Sequence, residues 1–244
     1  MHTNYYFLRQ LAPALTERLR GYRVAVCFSQ EKDELVVGLT DGAKEFWLKA
    51  QLGATFPALA LPDTFQRARA NSVDLFPDLL GQQVETVAAW PQDRVLQVNF
   101  RSGARLVFKL YGPRPNAIFR TAPDGTAQLF QQKLLADADL RPVPAAPSTK
   151  SVESEKSAEF VVQPKLPPPL ADLPLRYLRG QGYDPASPET KTRLVNQVLA
   201  QLEKPEHYYL IQLDGRTRLS LLPLGDALET LPGDDPVGAL RRFV

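Results

Sequence analysis

The sequence is poor in the residues that usually carry out catalysis or bind metals. It has one cysteine, Cys27, and two histidines, His2 and His207, in 244 residues. A single cysteine excludes a disulfide framework and any cysteine-rich zinc module, and it is typical of a reducing compartment. Cys27 lies in an alternating strand pattern, which favours a small packed hydrophobic residue over a nucleophile. A Ser-His-Asp triad would have to use His207, and no nucleophile elbow accompanies it.

Other signatures of chemistry are missing as well. The sequence contains no metal-ligand spacing, no Gly-rich loop that would cradle a phosphate and no dinucleotide fingerprint. Base excision by a DNA glycosylase needs an N-terminal proline followed by an acid, whereas this chain starts Met1-His2-Thr3. The sequence therefore predicts a binding protein that is not an enzyme, uses no cofactor and takes no small-molecule substrate.

Long apolar runs are also lacking. No run approaches the roughly 18 residues of a membrane span. The first 21 residues have helically spaced leucines interrupted by charge, unlike a signal peptide. We therefore expect a cytoplasmic protein without a membrane partner.

Charge is distributed unevenly along the chain. The net charge is only +2, but residues 91–120 carry six basic residues against one acid, Asp93. The basic residues are Arg94, Arg101, Arg105, Lys109, Arg114 and Arg120. A local excess of about five positive charges on a predicted sheet is a modest electrostatic footprint for a polyanion.

The hydrophobic pattern predicts an α+β fold. Leucines at helical spacing predict a helix over residues 4–20 that ends at Gly21. Alternating segments predict strands, with two-residue turns at Asp41-Gly42 and Asp214-Gly215 and another turn at Asp124-Gly125. Between the strands, residues 61–84 are predicted to form one or two short helices. Strands with inserted helices are typical of α+β domains.

The chain divides into four segments. Residues 1–140 are predicted to form the α+β domain. Residues 141–170 include seven prolines together with Ser, Glu and Lys, a composition typical of a tether or mobile loop. Residues 171–205 are predicted to form a helical hairpin, with Ser187 capping its second helix. Residues 206–244 are predicted to form a hairpin and a short helix that return to the first domain.

Two short motifs have both a structural and a functional interpretation. Asp93 could cap a Pro-led turn before an exposed strand, or it could orient Arg94 toward a phosphate or a base edge. The stretch "LVFKLYGPRPNAIF" holds Arg114 between two prolines, which restrict the backbone and reduce the entropy lost on binding. A stiff crossover loop with a solvated arginine would have the same sequence.

The order of these motifs resembles the N-terminal domain of the NFACT family. The resemblance rests on the first helix ending in glycine, "YRVAVCFSQEKDELVVGL", "FWLKAQLGATFPALALPD", "QDRVLQVNF" and "LVFKLYGPRPNAIF", and it covers residues 4–135. The family includes RqcH-like ribosome quality control proteins, and its older label is fibronectin-binding protein. The closing "ALRRFV" resembles the segment before the family's coiled coil, which this sequence does not include.

The resemblance implies a fold and a function. The fold would be similar to the N-terminal domain of formamidopyrimidine-DNA glycosylases, followed by a helix-hairpin-helix-like element. The function would be to bind stalled large ribosomal subunits carrying peptidyl-tRNA and to recruit tRNA for untemplated C-terminal alanine tailing. The family's Asp-Arg motif matches Asp93 and Arg94, and its Gly-Arg-x-x-Asn loop loosely matches Gly112 to Asn116. The predicted RNA-binding residues are Asp93, Arg94, Arg105, Lys109, Arg114 and Asn116.

The sequence departs from the family at several positions. Family members usually carry an acid at the position of Lys109 and a methionine at that of Tyr111, and the tether is not part of the family pattern. The Pro-rich run "VVQPKLPPPL" leaves a protein-interaction scaffold as an alternative, because such a run can enter an aromatic groove. A fibronectin-binding adhesin is a further alternative.

Overall fold

A computed structural model describes residues 1–123, 125–142, 170 and 172–244. These residues form an α+β fold with four α-helices and three antiparallel sheets. The helices are α1 (Tyr5–Leu19), α2 (Asp172–Gly180), α3 (Pro188–Glu203) and α4 (Pro236–Phe243). The strands are β1 (Arg23–Ser29), β2 (Glu34–Thr40), β3 (Glu45–Gln51), β4 (Ala58–Ala60), β5 (Val73–Asp74), β6 (Val84–Ala89), β7 (Val95–Phe100), β8 (Arg105–Lys109), β9 (Asn116–Arg120), β10 (Ala127–Leu129), β11 (His207–Leu213), β12 (Arg216–Ser220) and β13 (Asp226–Pro232). The predicted tether lies almost entirely outside the described residues.

Helix α1 forms where the leucine spacing predicts it. The side chain of Asn4 accepts a hydrogen bond from the Tyr6 N–H and caps the helix. Gly21 takes a φ of 90°, which L-residues avoid, and so lets the chain turn into β1. The buried face of α1 packs mainly against β6 and also against α4. The helix thereby covers the edge strand of the second sheet.

The second sheet positions most of the predicted site residues. Its strand order is β10-β9-β8-β7-β6. One face enters the main core with the buried side chains Leu96, Val98, Phe100, Leu106, Phe108 and Leu110. The opposite face carries a smaller apolar cluster of Trp90, Val95, Val107 and Ile118. Arg105 and Lys109 lie on this opposite face because they alternate along β8 with the core residues. Asn116 lies there too, because it pairs directly with Lys109 across the strands.

Two hairpin turns differ from each other in a way that their backbone angles explain. Asp214 and Gly215 both have positive φ, and Leu213 pairs with Arg216, so this is the predicted two-residue turn. The predicted two-residue turn at Asp41-Gly42 is wrong, because Thr40 pairs with Glu45 and leaves a four-residue loop. The Asp41 carboxylate accepts hydrogen bonds from two N–H groups within that loop.

The third sheet, β12-β11-β13, and helix α4 join the N-terminal part of the chain. Tyr208 of β11 contacts Phe7 of α1 edge-on, with 5.6 Å between ring centroids. The Met1 amine donates a hydrogen bond to the carbonyl of Leu219. Side chains of this sheet and of α4 belong to the same buried cluster as α1 and the first two sheets. One core therefore supports all three sheets.

The predicted helices between residues 61 and 84 are not found. This segment contains the short strand β5 and a 3₁₀ turn at Pro77–Leu79. Asn71 and Phe76 have positive φ, which breaks a helical path. Arg67 lies 4.5 Å from the centroid of the Phe28 ring and pairs with Asp74 at 2.7 Å. Phe65 packs against Phe28 and Trp47 of the first sheet, whereas most of the segment is exposed.

No helix within the described ranges is long and apolar enough to cross a membrane.

Candidate nucleic-acid interface

The ends of β7 and β8 bring the Asp-Arg pair next to the double-proline loop. Val95, the first residue of β7, pairs with Lys109, the last residue of β8. The Leu110 N–H then donates to the Arg94 carbonyl at 2.9 Å. Arg94 and Tyr111 are thus neighbours across two strands, although they are 17 positions apart.

Asp93 stabilises the turn that leads into β7. Its Oδ1 accepts a hydrogen bond from the backbone N–H of Arg94 at 2.7 Å. Gln92, the residue before it, has a φ of 56°. The carboxylate therefore fixes the backbone of Arg94, which is the capping role that the sequence offered as one of two interpretations. It leaves the guanidinium available to a ligand.

The Arg94 side chain is exposed and opens into a cleft. Its guanidinium carbon lies 5.8 Å from the centroid of the Tyr111 ring, within the range of a cation–π contact. The cleft has a volume of about 340 Å³ and is also lined by Phe56, Arg216 and Arg218. We call it the Arg94 cleft.

The Arg94 cleft is cationic after its internal ion pairs are counted. Arg218 lies 3.8 Å from Asp172 and 3.6 Å from Asp214, so its charge is balanced. Arg94 and Arg216 are exposed and have no carboxylate partner among the residues that the structure describes. Two guanidinium groups therefore face solvent at one cleft.

Lys109 and Asn116 meet a carboxylate. The Lys109 Nζ is 2.8 Å from the Asp137 Oδ1, and both side chains are largely buried. The Asn116 amide donates to the other oxygen of Asp137 at 2.9 Å, and its own oxygen accepts from the Gln131 N–H at 2.8 Å. These two predicted site residues thus fasten the 3₁₀ turn at Leu135–Asp139 to the sheet. Neither presents its polar group freely to solvent.

Arg114 remains exposed at the tip of the double-proline loop. It lines a second cleft, of about 360 Å³, which we call the Arg114 cleft. Lys32 and Lys133 line the same cleft and are also exposed. Arg105 is half-buried on β8, opposite Asn99 on one side and Arg120 on the other, and it forms no ion pair with any described residue.

Several of these cations are not among the site residues predicted from the sequence. Arg216 and Arg218 alternate in a strand that follows a recognisable turn, so their shared face could have been predicted from the period of two. Lys32 and Lys133 are about 100 positions apart, and no local pattern places them together. Only the contact between the β1–β2 turn and the segment after β10 does so.

Among the described residues, neither a reactive cysteine nor a metal site is found. Cys27 is 2% exposed, and burial, followed by the charge of Asp74, raises the pKa of its thiol to about 12. No group of three or more His, Cys, Asp or Glu side chains within the described part of the chain is arranged to hold a metal ion. The absence of an enzymatic activity stays a prediction.

His2 borders the Arg94 cleft in its neutral form. Its ring lies between Phe56 and Phe243, with centroids 4.9 Å away in each case, and its Nε2 donates to the Pro57 carbonyl at 3.0 Å. Burial, followed by the charge of the nearby N-terminal amine, lowers the pKa of His2 from 6.5 to about 4. The unfolded chain therefore binds a proton that the folded chain does not bind between these two values.

We expect this proton to make stability depend on pH. The contribution of neutral His2 is fully present above pH 6.5 and is lost as the pH falls toward 4. Between pH 7 and pH 5 the loss should be about 1 to 2 kcal/mol. Urea unfolding of the parent and of His2→Asn at both pH values measures it, because asparagine can keep the hydrogen bond to Pro57 without titrating. An equal loss in both proteins would contradict the assignment to His2.

Two solved structures share this architecture over nearly the whole chain. The fibrinogen-binding protein from Staphylococcus aureus superposes with a TM-score of 0.64 and 13% identity, covering 100% of this chain and 99% of that one. The N-terminal part of the fibronectin/fibrinogen-binding protein from Streptococcus suis superposes with a TM-score of 0.59 and 13% identity, covering 98% of each chain. No protein-family model and no curated protein sequence matches the chain. At this identity the likeness concerns the fold: the chain has the α+β fold of these fibrinogen- and fibronectin-binding protein structures.

Proposed function

We propose that this chain is a non-enzymatic RNA-binding module of an RqcH-like ribosome quality control factor. It binds stalled large ribosomal subunits that carry peptidyl-tRNA and recruits tRNA for untemplated C-terminal alanine tailing. Two supports are independent of each other. The first is the order of sequence motifs that resembles the NFACT family. The second is the pair of cationic clefts.

The observation that carries the proposal is the exposure of Arg94 and Arg114. Each guanidinium lies at a cleft with at least one further cation, and neither is paired with a carboxylate among the described residues. Arginine presents its donors in a planar fork that matches phosphate. Rigid backbone precedes each arginine, a capped turn before Arg94 and a proline before Arg114. The restricted backbone reduces the backbone part of the entropy that is lost when either arginine binds a phosphate.

A second candidate function follows from the names of the two similar structures. Those proteins are described as binding fibrinogen or fibronectin. An adhesin would use a surface suited to a protein partner and would show no preference for RNA. The two functions differ most clearly in their response to salt.

The test is binding to isolated large ribosomal subunits with and without peptidyl-tRNA, between 50 and 200 mM salt. If about four phosphates are neutralised, affinity should fall roughly 50-fold over this range through counterion release. Immobilised fibronectin and fibrinogen, measured in the same buffers, are the comparison ligands. Binding to either glycoprotein with no affinity for subunits, or a subunit affinity that does not change with salt, would overturn the proposal.

A further inference from the structure

The loop of residues 53–57 contributes one lining residue to each of the two cationic clefts. Ala54 lines the Arg114 cleft, and Phe56 lines the Arg94 cleft. Two residues of chain span at most about 7 Å. The near edges of the clefts are therefore close enough for one ligand to contact both. We call residues 53–57 the ridge.

Phe56 stands at the ridge with a large part of its ring exposed. The residue is 48% exposed, which is unusual for an aromatic residue. The ring is nevertheless held in place, because its centroid lies 4.9 Å from that of His2 and 6.2 Å from that of Phe243. A supported aromatic ring that faces solvent can serve as a stacking platform for a planar ligand.

The Arg114 cleft is positive after its single acid is considered. Lys32, Arg114 and Lys133 are exposed, and none of them pairs with a carboxylate within the described ranges. Asp33 is the acid of this cleft, and its Oδ1 accepts a hydrogen bond from Gln131 Nε2 at 2.8 Å. Three cations around one carboxylate favour an anionic ligand of more than one charge.

The Arg94 cleft continues this positive charge on the other side of the ridge. Arg94 and Arg216 line it without a carboxylate partner among the residues that the structure describes. Asp172 is shared between Arg176, at 3.1 Å, and Arg218, at 3.8 Å. The surface therefore places the exposed ring of Phe56 between the cations of the Arg94 cleft and those of the Arg114 cleft. A groove of this kind matches a strand in which phosphates and bases alternate.

We propose that single-stranded RNA crosses the ridge, with a base stacked on Phe56 and flanking phosphates in the Arg94 and Arg114 clefts. This inference rests on the proposed function and specifies the form of the RNA. A base inside a duplex is stacked on both faces, so its face cannot reach Phe56. Phosphates bind the clefts through charge, whereas the ring selects a strand with an unpaired base.

The experiment measures fluorescence anisotropy with a labelled uridine octamer and with an RNA duplex of the same length, at one low salt concentration. The parent chain should bind the single strand more tightly than the duplex. Phe56→Leu, which keeps apolar contact with His2 and Phe243, should weaken octamer binding roughly 5- to 150-fold. Phe56→Trp should retain binding, and Leu80→Ala, at a position that is 49% exposed, is the matched control. Unchanged circular dichroism and urea midpoints confirm that each variant is folded.

A second arm tests the cations. The double variant Lys32→Ala with Lys133→Ala should bind both the octamer and the duplex more weakly. Lys44→Ala should leave the binding of both unchanged, because Lys44 lies on the β2–β3 loop and lines neither cleft. A photo-crosslink from 4-thiouridine to the peptide that contains Phe56 would support the stacked arrangement.

The outcomes separate this inference from the proposed function. Octamer binding that is unaffected by Phe56→Leu, or a duplex bound as tightly as the octamer, would overturn the ridge proposal. So would an absence of any octamer binding. In each case, salt-sensitive binding to large ribosomal subunits would still support the proposed function. If the chain did not bind the subunits at all, both the proposed function and the ridge proposal would be overturned.

Discussion

An Asp137→Ala variant is expected to be about 3 to 5 kcal/mol less stable than the parent chain. Asp137 accepts a 2.8 Å contact from Lys109 and a 2.9 Å hydrogen bond from Asn116. The side chains of Lys109 and Asp137 are only 14% and 10% exposed. Removing the carboxylate leaves the Lys109 charge with only the Tyr111 ring, 5.4 Å away, and the Asn116 amide without this acceptor. Water reaches the site poorly, and both penalties act in the folded state alone.

Urea unfolding at pH 7 measures this effect as a lower midpoint at an unchanged slope. Glu203→Ala is the control, because its ion pair with Arg9 is 56% and 50% exposed and should be worth less than about 1 kcal/mol. Replacing Lys109 by Met together with Asp137 by Leu should recover much of the loss, since an apolar pair needs no compensation. A destabilisation by Asp137→Ala no larger than that of the control would show that the pair is dispensable.

The ion pair between Lys109 and Asp137 is a feature of the candidate site that the sequence alone does not predict. Lys109 is one of the six basic residues between positions 91 and 120, and a sequence shows this charge but not the partner that neutralises it. The partner lies 28 positions later, in a 3₁₀ turn that has no periodic pattern. Tertiary packing determines which acid neutralises this largely buried cation, and local sequence spacing does not encode it.

The strands of the second sheet show the opposite case. The alternation of Leu96, Val98 and Phe100 predicts one buried face, and all three side chains are buried in the main core. The alternation predicts this face correctly because the side-chain period of a strand is two and this face of the sheet is buried in the main core. The same reasoning predicts α1, whose leucines recur once per turn on the buried side.

Two elements escaped this reasoning for identifiable reasons. Strand β13 is mostly exposed, so it lacks the apolar alternation that reveals a half-buried strand. The segment before β6 has an apolar content compatible with helix, but Phe76 has a φ of 51° and precedes a proline. The Phe76 ring packs against Phe119 of β9 in the second sheet, a tertiary contact that the local sequence pattern does not reveal.

Replacing both Arg94 and Arg114 by alanine is expected to weaken binding to large ribosomal subunits by roughly 30-fold to 2 × 10⁴-fold. Each arginine that grips a phosphate or base edge with two hydrogen bonds contributes about 1–3 kcal/mol. The two side chains line different clefts, so their losses should approximately add. The slope of affinity against salt should also become shallower, by about one for each lost phosphate contact.

The informative comparison is with a variant that loses the same charge elsewhere. Arg193 on α3 and Lys44 on the β2–β3 loop are both exposed, and neither residue lines either cleft. The double variant Arg193→Ala with Lys44→Ala therefore has the same net charge as the variant that lacks Arg94 and Arg114. If the arginines acted only by long-range attraction, both double variants would lose the same affinity for the subunits. If Arg94 and Arg114 contact RNA directly, only the variant that lacks them loses affinity. Arg94→Lys with Arg114→Lys should fall between parent and alanine variant, because lysine keeps the charge and loses the planar fork. Equal affinities and equal salt slopes for the two alanine variants would mean that neither arginine touches RNA, and the proposed interface would have to be abandoned.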